Sequence, residues 1–184
     1  IPAVENVISG NSFKPGDIIK TYSGKTIEVI DTDAEGRIIL SDALTYACKQ
    51  KPDLVLDYAT LTGACVVALG ESAAGLFTND DKLAENLLCS SKKTGERLWQ
   101  FPMWDEYKKP LESDLADVKN LGIRWGSAII AAKFLENFVD EEMSWAHLDI
   151  AGPAIKYNIK SYTNKYNTGF GVRLTYDYLE DLAK

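Results

Sequence analysis

Asp31, Asp33 and Glu35 stand at alternate positions at the head of the stretch DTDAEGRIILSDAL, and Arg37 follows after one glycine. Like charges this close repel one another unless water, a basic neighbour or a bound cation holds them. Carboxylate oxygens are hard donors, and two or more presented together suit a divalent ion. A helix start accounts for them equally well, because acids there complement the helix dipole and cap free amides. The residue types alone make Arg37 a partner for Asp31 or Asp33. A calcium loop also competes, since Asp31, Asp33, Glu35, Gly36, Ile38 and Asp42 fall at EF-hand positions. Against it, the preceding KTIEVI reads as a strand rather than a helix, and the last position is Asp rather than Glu. His147, the one histidine, sits in the apolar run SWAHLDIAG and reads as a core residue rather than a ligand.

Elements must present these groups. Alternation over Thr26, Ile27, Glu28 and Val29, after a turn at Ser23-Gly24, predicts a half-buried strand. Leu40, Ala43, Leu44, Ala47 and Cys48 recur at helical spacing and predict a helix that stops before Lys51-Pro52. The acids therefore lie at a strand-to-helix junction, beyond the carboxyl end of a strand, where open α/β sheets place ligands. Further along, DLVLDYA predicts a strand, TLTGACVVALG a turn into a helix, and SAAGLFTND a strand. A helix over Asp80 to Thr94 would be capped by Asp80 or Asp81. Residues 95–125 read as a loop with short helices. Ala131, Phe134, Leu135 and Phe138 mark another helix, SWAHLDIAG a strand, and residues 153–169 a surface loop. A final helix over Val172 to Ala183 would face inward through Val172, Tyr176, Leu179 and Leu182. This alternation predicts the α/β class: a mixed, mostly parallel sheet flanked by helices, in a single domain over residues 1–184.

Composition narrows the functions. A net charge of −7 argues against a nucleic-acid partner. Cys48, Cys65 and Cys89 are odd in number and lack CxxC spacing, which argues against a disulfide framework and a cysteine zinc site. They read as buried thiols in a reducing compartment. No apolar stretch has the length of a membrane span. Neither GxGxxG nor GxxxxGK[ST] occurs, against a nucleotide-binding domain. The chain opens on Ile1 rather than Met, so it is expected to be processed or a piece of something longer.

DTDAEGRIILSDAL resembles the signature of the leucine (cytosol) aminopeptidase family, whose usual form is NTDAEGR. SFKPGDII, GKTIEV, DYATLTGACVVALG, WAHLDIAG and GFGVRL resemble further segments of that family's catalytic domain, in the same order and over nearly the whole chain. The resemblance implies a phosphorylase/hydrolase-like three-layer sandwich. It also implies a two-metal hydrolase that releases N-terminal amino acids, leucine preferred, from peptides. Asp33 and Glu35 would be metal ligands, with Glu35 bridging two manganese or zinc ions. Arg37 would hold a bicarbonate-like anion or the developing oxyanion beside them. Thr60, Leu61 and Gly63 would contact substrate, Leu61 through its backbone carbonyl. Ala151 and Ala154 would line the pocket for the first side chain and leave room for leucine. The family implies a cytoplasmic hexamer acting on peptides, with no nucleic-acid or membrane partner. Asp31 replaces the family's Asn and is not assigned as a ligand.

The family's remaining functional residues match positions upstream of Ile1: a lysine and two aspartates that bind metal, and a second lysine. The chain is therefore expected to be an N-terminally truncated, C-terminal part of the catalytic domain. Two carboxylates do not fill the coordination of two hard cations. The metals would be poorly held and the isolated chain weakly active or inactive. A second class remains, a non-catalytic α/β interaction module that keeps the fold, and metal binding separates the two.

Overall fold

Gly24 adopts φ +92°, a left-handed conformation that costs little only for glycine. It reverses the chain between β1 (Ile18–Lys20) and β2 (Thr26–Glu28), with Gly24 N donating to the Thr21 carbonyl at 2.9 Å. The structure, a computed structural model, describes residues 1–156 and 166–184. They gather into two units: Ile1–Val55 with Trp104–Met143, and Leu56–Met103 with Ser144–Lys184. The class is mixed α/β with helices flanking sheets, as the sequence implied.

In the first unit β2 pairs antiparallel with β1, Ile27 opposite Ile19, and parallel with β6 (Val118–Lys119), Ile27 opposite Val118. Ile27 and Val29 are fully buried, as their alternation required. α1 (Glu35–Lys49) packs on α4 (Ser127–Glu136). α4 buries every residue from Ala128 to Leu135, including Lys133, whose ammonium is offset by Glu136 at 2.8 Å. The buried face of α1 differs from the predicted stripe. Leu44 and Cys48 are buried as expected, while Leu40, Ala43 and Ala47 are half-buried. Arg37, Ser41 and Thr45 complete the inward face instead. The hydroxyls explain this. Ser41 donates to the Ile38 carbonyl (2.6 Å) and Thr45 to the Ser41 carbonyl (2.9 Å), so both polar groups are satisfied within the helix and pack as small core residues.

In the second unit four strands run in the order β3 (Val55–Ala59), β7 (Trp145–Asp149), β4 (Ala74–Thr78), β5 (Leu98–Gln100). β4 pairs parallel with β5 and antiparallel with β7, Phe77 opposite His147. Every residue of β4 and β7 is buried, the pattern of strands covered on both faces. α2 (Gly63–Leu69) follows β3. α3 (Asp81–Thr94) packs on β4, β5, β7 and α5 (Val172–Leu182). Asp80 caps α3 as predicted, accepting from the amides of Lys82 (2.9 Å) and Leu83 (3.1 Å). Glu96, buried and distant in sequence, accepts from the Leu174 amide (2.8 Å) in the first turn of α5.

Further expectations need correction. The inward stripe predicted for α5, Val172, Tyr176, Leu179 and Leu182, is exposed, and the helix buries Leu174 and Tyr178. Its sequence carries two apolar faces, and its inward neighbours, Tyr58 bonded to Thr175 (2.6 Å) and helix α3, select the second. β5 and β6 fall inside the stretch read as loop, because strands of two or three residues are too short to show a period. In the predicted surface loop, β8 (Ile155–Lys156) pairs antiparallel with β9 (Tyr166–Asn167), and residues 157–165 of that loop lie outside the described residues.

Of the cysteines, Cys48 and Cys65 are buried as expected but Cys89 is exposed. Burial, helped by the nearby charge of Asp149, pushes the Cys65 thiol up to about 12. Since the thiolate is the nucleophile, alkylation at neutral pH followed by mass spectrometry should label Cys89 first and leave Cys65 unmodified until the chain is unfolded. A pH-dependent cap should also be measurable. The Ser144 hydroxyl, with the Leu83 and Lys82 amides, holds the Asp80 carboxyl below its ordinary 3.8. Asp80 therefore contributes stability above the unfolded value that is lost as pH falls through the lower folded one. Asp80→Ala should lower unfolding free energy by about 1 kcal/mol at neutral pH. In urea titrations that deficit should shrink below about pH 4.

Candidate active site

The acid-rich segment starts as a 3-10 turn, Thr32–Ala34, and passes directly into α1 at Glu35. Asp31 is the cap of that turn: its Oδ1 accepts from the Asp33 amide at 3.0 Å. For this residue the capping explanation is sufficient. Asp33 is exposed and Glu35 half-buried in the first turn of the helix. Among the described residues, neither carboxylate has a hydrogen-bond or ion-pair partner. They differ in this from Asp42, whose Oδ1 accepts the Tyr22 amide (2.8 Å). A helix beginning at Glu35 also removes the calcium-loop reading, because the residues from Glu35 to Asp42 are helical.

Arg37 is buried, with 6% of its surface accessible, and its Nη1 donates to the Asn120 carbonyl at 2.9 Å. Asn120 holds this whole segment. Fully buried, it accepts from the Ile30 amide (2.7 Å) and the Asp31 amide (3.3 Å) through Oδ1 and donates Nδ2 to the Asp31 carbonyl (2.6 Å). Its own amide donates to the Glu28 carbonyl (3.0 Å), extending the β2–β6 ladder by one residue. A primary amide suits the position because it can donate to a carbonyl and accept from amides at once. Asp31 and Arg37 thus share one anchor far away in sequence.

In the second unit Thr60 and Gly63 are exposed and Leu61 half-buried. Thr62 caps α2, its hydroxyl accepting from the Cys65 amide (3.1 Å). Asp149, at the end of β7, is 1% exposed and accepts from four donors. Oδ1 takes the amides of Leu61 and Ala151, each at 3.1 Å. Oδ2 takes the Thr62 amide (3.1 Å) and the Thr62 hydroxyl (2.7 Å). The predicted substrate segment and the first predicted pocket residue are therefore tied to one carboxylate. Ala154 is fixed from the same turn, donating its amide to the Ile150 carbonyl (3.0 Å) and accepting from the Thr168 amide (3.0 Å). Gly152 makes the turn possible, since a Cβ there would lie 2.2 Å from the Gly70 carbonyl oxygen.

His147 behaves as the core residue its setting suggested. It is fully buried, with Nδ1 2.5 Å from Asp57 Oδ1, while Asp57 Oδ2 accepts from the Trp145 indole (2.7 Å). Sequence reasoning missed Asn120 and Asp149. A charged residue inside the apolar run HLDI was the available signal for Asp149, because such residues are rarely buried without partners. Asn120, among Val118, Lys119 and Leu121, gave none.

The donor chemistry of Asp33 and Glu35 fits a divalent ion, being hard and uncommitted. Among the described residues, however, no group of three or more His, Cys, Asp or Glu side chains converges as a metal site. The backbone support of this segment is testable: Asn120→Ala removes the side-chain partner of the part-buried Ile30 amide and Asp31 carbonyl and should cost about 1 kcal/mol in urea unfolding. Asn120→Asp should be no better, because it turns an acceptor toward the Asp31 carbonyl.

Comparison with known proteins bears on this arrangement. The model of the cytosol aminopeptidase family, catalytic domain, matches residues 1–176. A probable cytosol aminopeptidase of Chlorobium limicola is 54% identical over 181 residues, which are 98% of this chain and 36% of that protein. One from Aquifex aeolicus is 53% identical over 180 residues, 97% of this chain and 36% of its own length. The chain thus spans about 36% of the length of these curated relatives. A mutant of tomato leucine aminopeptidase superposes with a TM-score of 0.89 at 47% identity, over 96% of this chain and 34% of that one. The bottromycin maturation enzyme BotP, in complex with Mn, gives 0.90 at 40% identity, over 95% of this chain and 39% of that one. With its signature at the head of α1, its ordered segments and these matches, the chain belongs to the cytosol aminopeptidase family.

Proposed function

We propose that this chain is part of a single aminopeptidase catalytic domain, in which Asp33 and Glu35 hold two divalent metal ions and Arg37 acts beside them. The observation that carries the reading is the uncommitted state of both carboxylates, in the segment that matches the family signature, next to an acid that is committed to capping. When bound, the metals supply Lewis acidity and a water whose pKa is lowered toward about 7. The manganese named with BotP supports manganese as a candidate, with zinc as the other.

The chain's own residues would do the rest. Arg37, buried and held through the Asn120 carbonyl, keeps a fixed positive charge for a bicarbonate or for the oxyanion that develops as the peptide carbonyl is attacked. Thr60, Leu61 and Gly63 contact the peptide, Leu61 through its backbone carbonyl. The small side chains of Ala151 and Ala154 leave volume for leucine. Peptide substrates and a cytoplasmic setting are read from the family's description, and a hexamer from the resemblance alone. Among the described residues, no helix is long and apolar enough to cross a membrane.

Because the described residues assemble no complete ligand cluster, the 184-residue chain by itself should bind metal weakly and turn over slowly. Calorimetry with manganese or zinc should detect weak binding that Asp33→Asn combined with Glu35→Gln abolishes. Leucine p-nitroanilide hydrolysis should stay near background. Robust turnover by the isolated chain would overturn the incompleteness. Metal binding indifferent to the double variant would overturn the ligand assignment and favour a non-catalytic module.

A further inference from the structure

The carboxylate of Asp149 is spent entirely on the two segments assigned above to substrate binding. Its two oxygens receive four donors: three backbone amides and one hydroxyl. Leu61 N and Ala151 N share Oδ1 at 3.1 Å each, so these two nitrogens lie within about 6 Å of one another although they are far apart in sequence. The oxygen they share is nearly inaccessible to water, which strengthens each bond and makes loss of any one costly.

The peptide plane between Leu61 and Thr62 adds a directional consequence. In a trans peptide the C=O of one residue and the N–H of the next point in opposite directions. Anchoring the Thr62 amide on Asp149 Oδ2 therefore turns the Leu61 carbonyl away from that carboxylate. The hydroxyl of Thr62 locks the same plane. It has one proton, which it donates to Asp149, leaving a lone pair to accept the Cys65 amide at the start of α2. Turn and helix are thus set by one acceptor. That acceptor is itself held by the sheet, since Asp149 lies opposite Gly75 in the β4–β7 ladder. A Cβ at Gly75 would come within 2.9 Å of both Cys65 Sγ and Phe77, so this end of the ladder is tightly packed.

We propose that Asp149 is a positioning residue for substrate binding: it fixes the Leu61–Thr62 peptide plane, and with it the direction of the Leu61 carbonyl, and holds Ala151 alongside. The ligand is the N-terminal residue of a peptide, which the Leu61 carbonyl contacts as a hydrogen-bond acceptor. The inference rests on the assignment of Leu61 and Ala151 to substrate binding, and the experiment separates the two.

The 184-residue chain, isotope-labelled, is titrated with L-leucine and followed by the amide signals of Leu61, Thr62 and Ala151. Asp149→Asn is isosteric, yet it presents an NH2 to two of the four donors. It should remain folded, raise amide exchange at these three positions and weaken L-leucine binding by roughly tenfold, the scale expected when buried donors lose an acceptor. Should that variant fail to fold, Thr62→Val removes only the hydroxyl and should weaken binding by a few-fold. A purely structural Asp149 lowers the melting temperature but leaves the L-leucine affinity of the folded variant unchanged, and that result overturns the proposal while the site assignment stands. If L-leucine shifts none of these amides in the unsubstituted chain, the assignment falls and takes the proposal with it.

Discussion

A loop that leaves regular structure yet must keep one shape needs partners for its backbone amides and carbonyls, and a buried side chain with several donors or acceptors can supply many of them at once. This constraint organises both candidate segments. In the first unit the buried amide of Asn120 receives the amides at Ile30 and Asp31 and returns a bond to the Asp31 carbonyl. In the second the buried carboxylate of Asp149 receives three amides and a hydroxyl. The choice of residue follows the demand: donors and acceptors call for an amide, and donors alone call for a carboxylate.

Such anchors let neighbouring side chains stay uncommitted. Asp31 is consumed in capping and Arg37 is held in the interior, but Asp33 and Glu35 need no partner to keep their backbone in place. A carboxylate that does no structural work can give its oxygens to a cation without disturbing the fold. The contrast with Asp57 is instructive. Its two oxygens are taken by His147 and Trp145 inside the sheet, so this acid–histidine pair, which resembles catalytic machinery by composition, is part of the core.

The exposed apolar stripe of α5 and the buried polar face of α1 show a common limit of pattern reading. Periodicity reports that a helix has two faces and does not say which one has a partner. On α1, hydroxyls satisfied within the helix made a polar face buriable. On α5, the packing of Leu174 and Tyr178 turned the larger apolar residues outward.

The sequence by itself determined the α/β class, most of the longer elements, a cap at Asp80 or Asp81 and the family. These depend on local spacing, turn chemistry and ordered motifs, which are written along the chain. It also placed the acids at a strand-to-helix junction and His147 in the core. Tertiary structure alone decided which acid is a cap and which are uncommitted, which helix faces are buried, and that Asn120 and Asp149 anchor the candidate segments. The two anchors depend on hydrogen bonds between residues more than 80 positions apart, and the buried faces on which neighbouring elements pack against each helix. A single chain without its folded partners carries no local signal for such pairings.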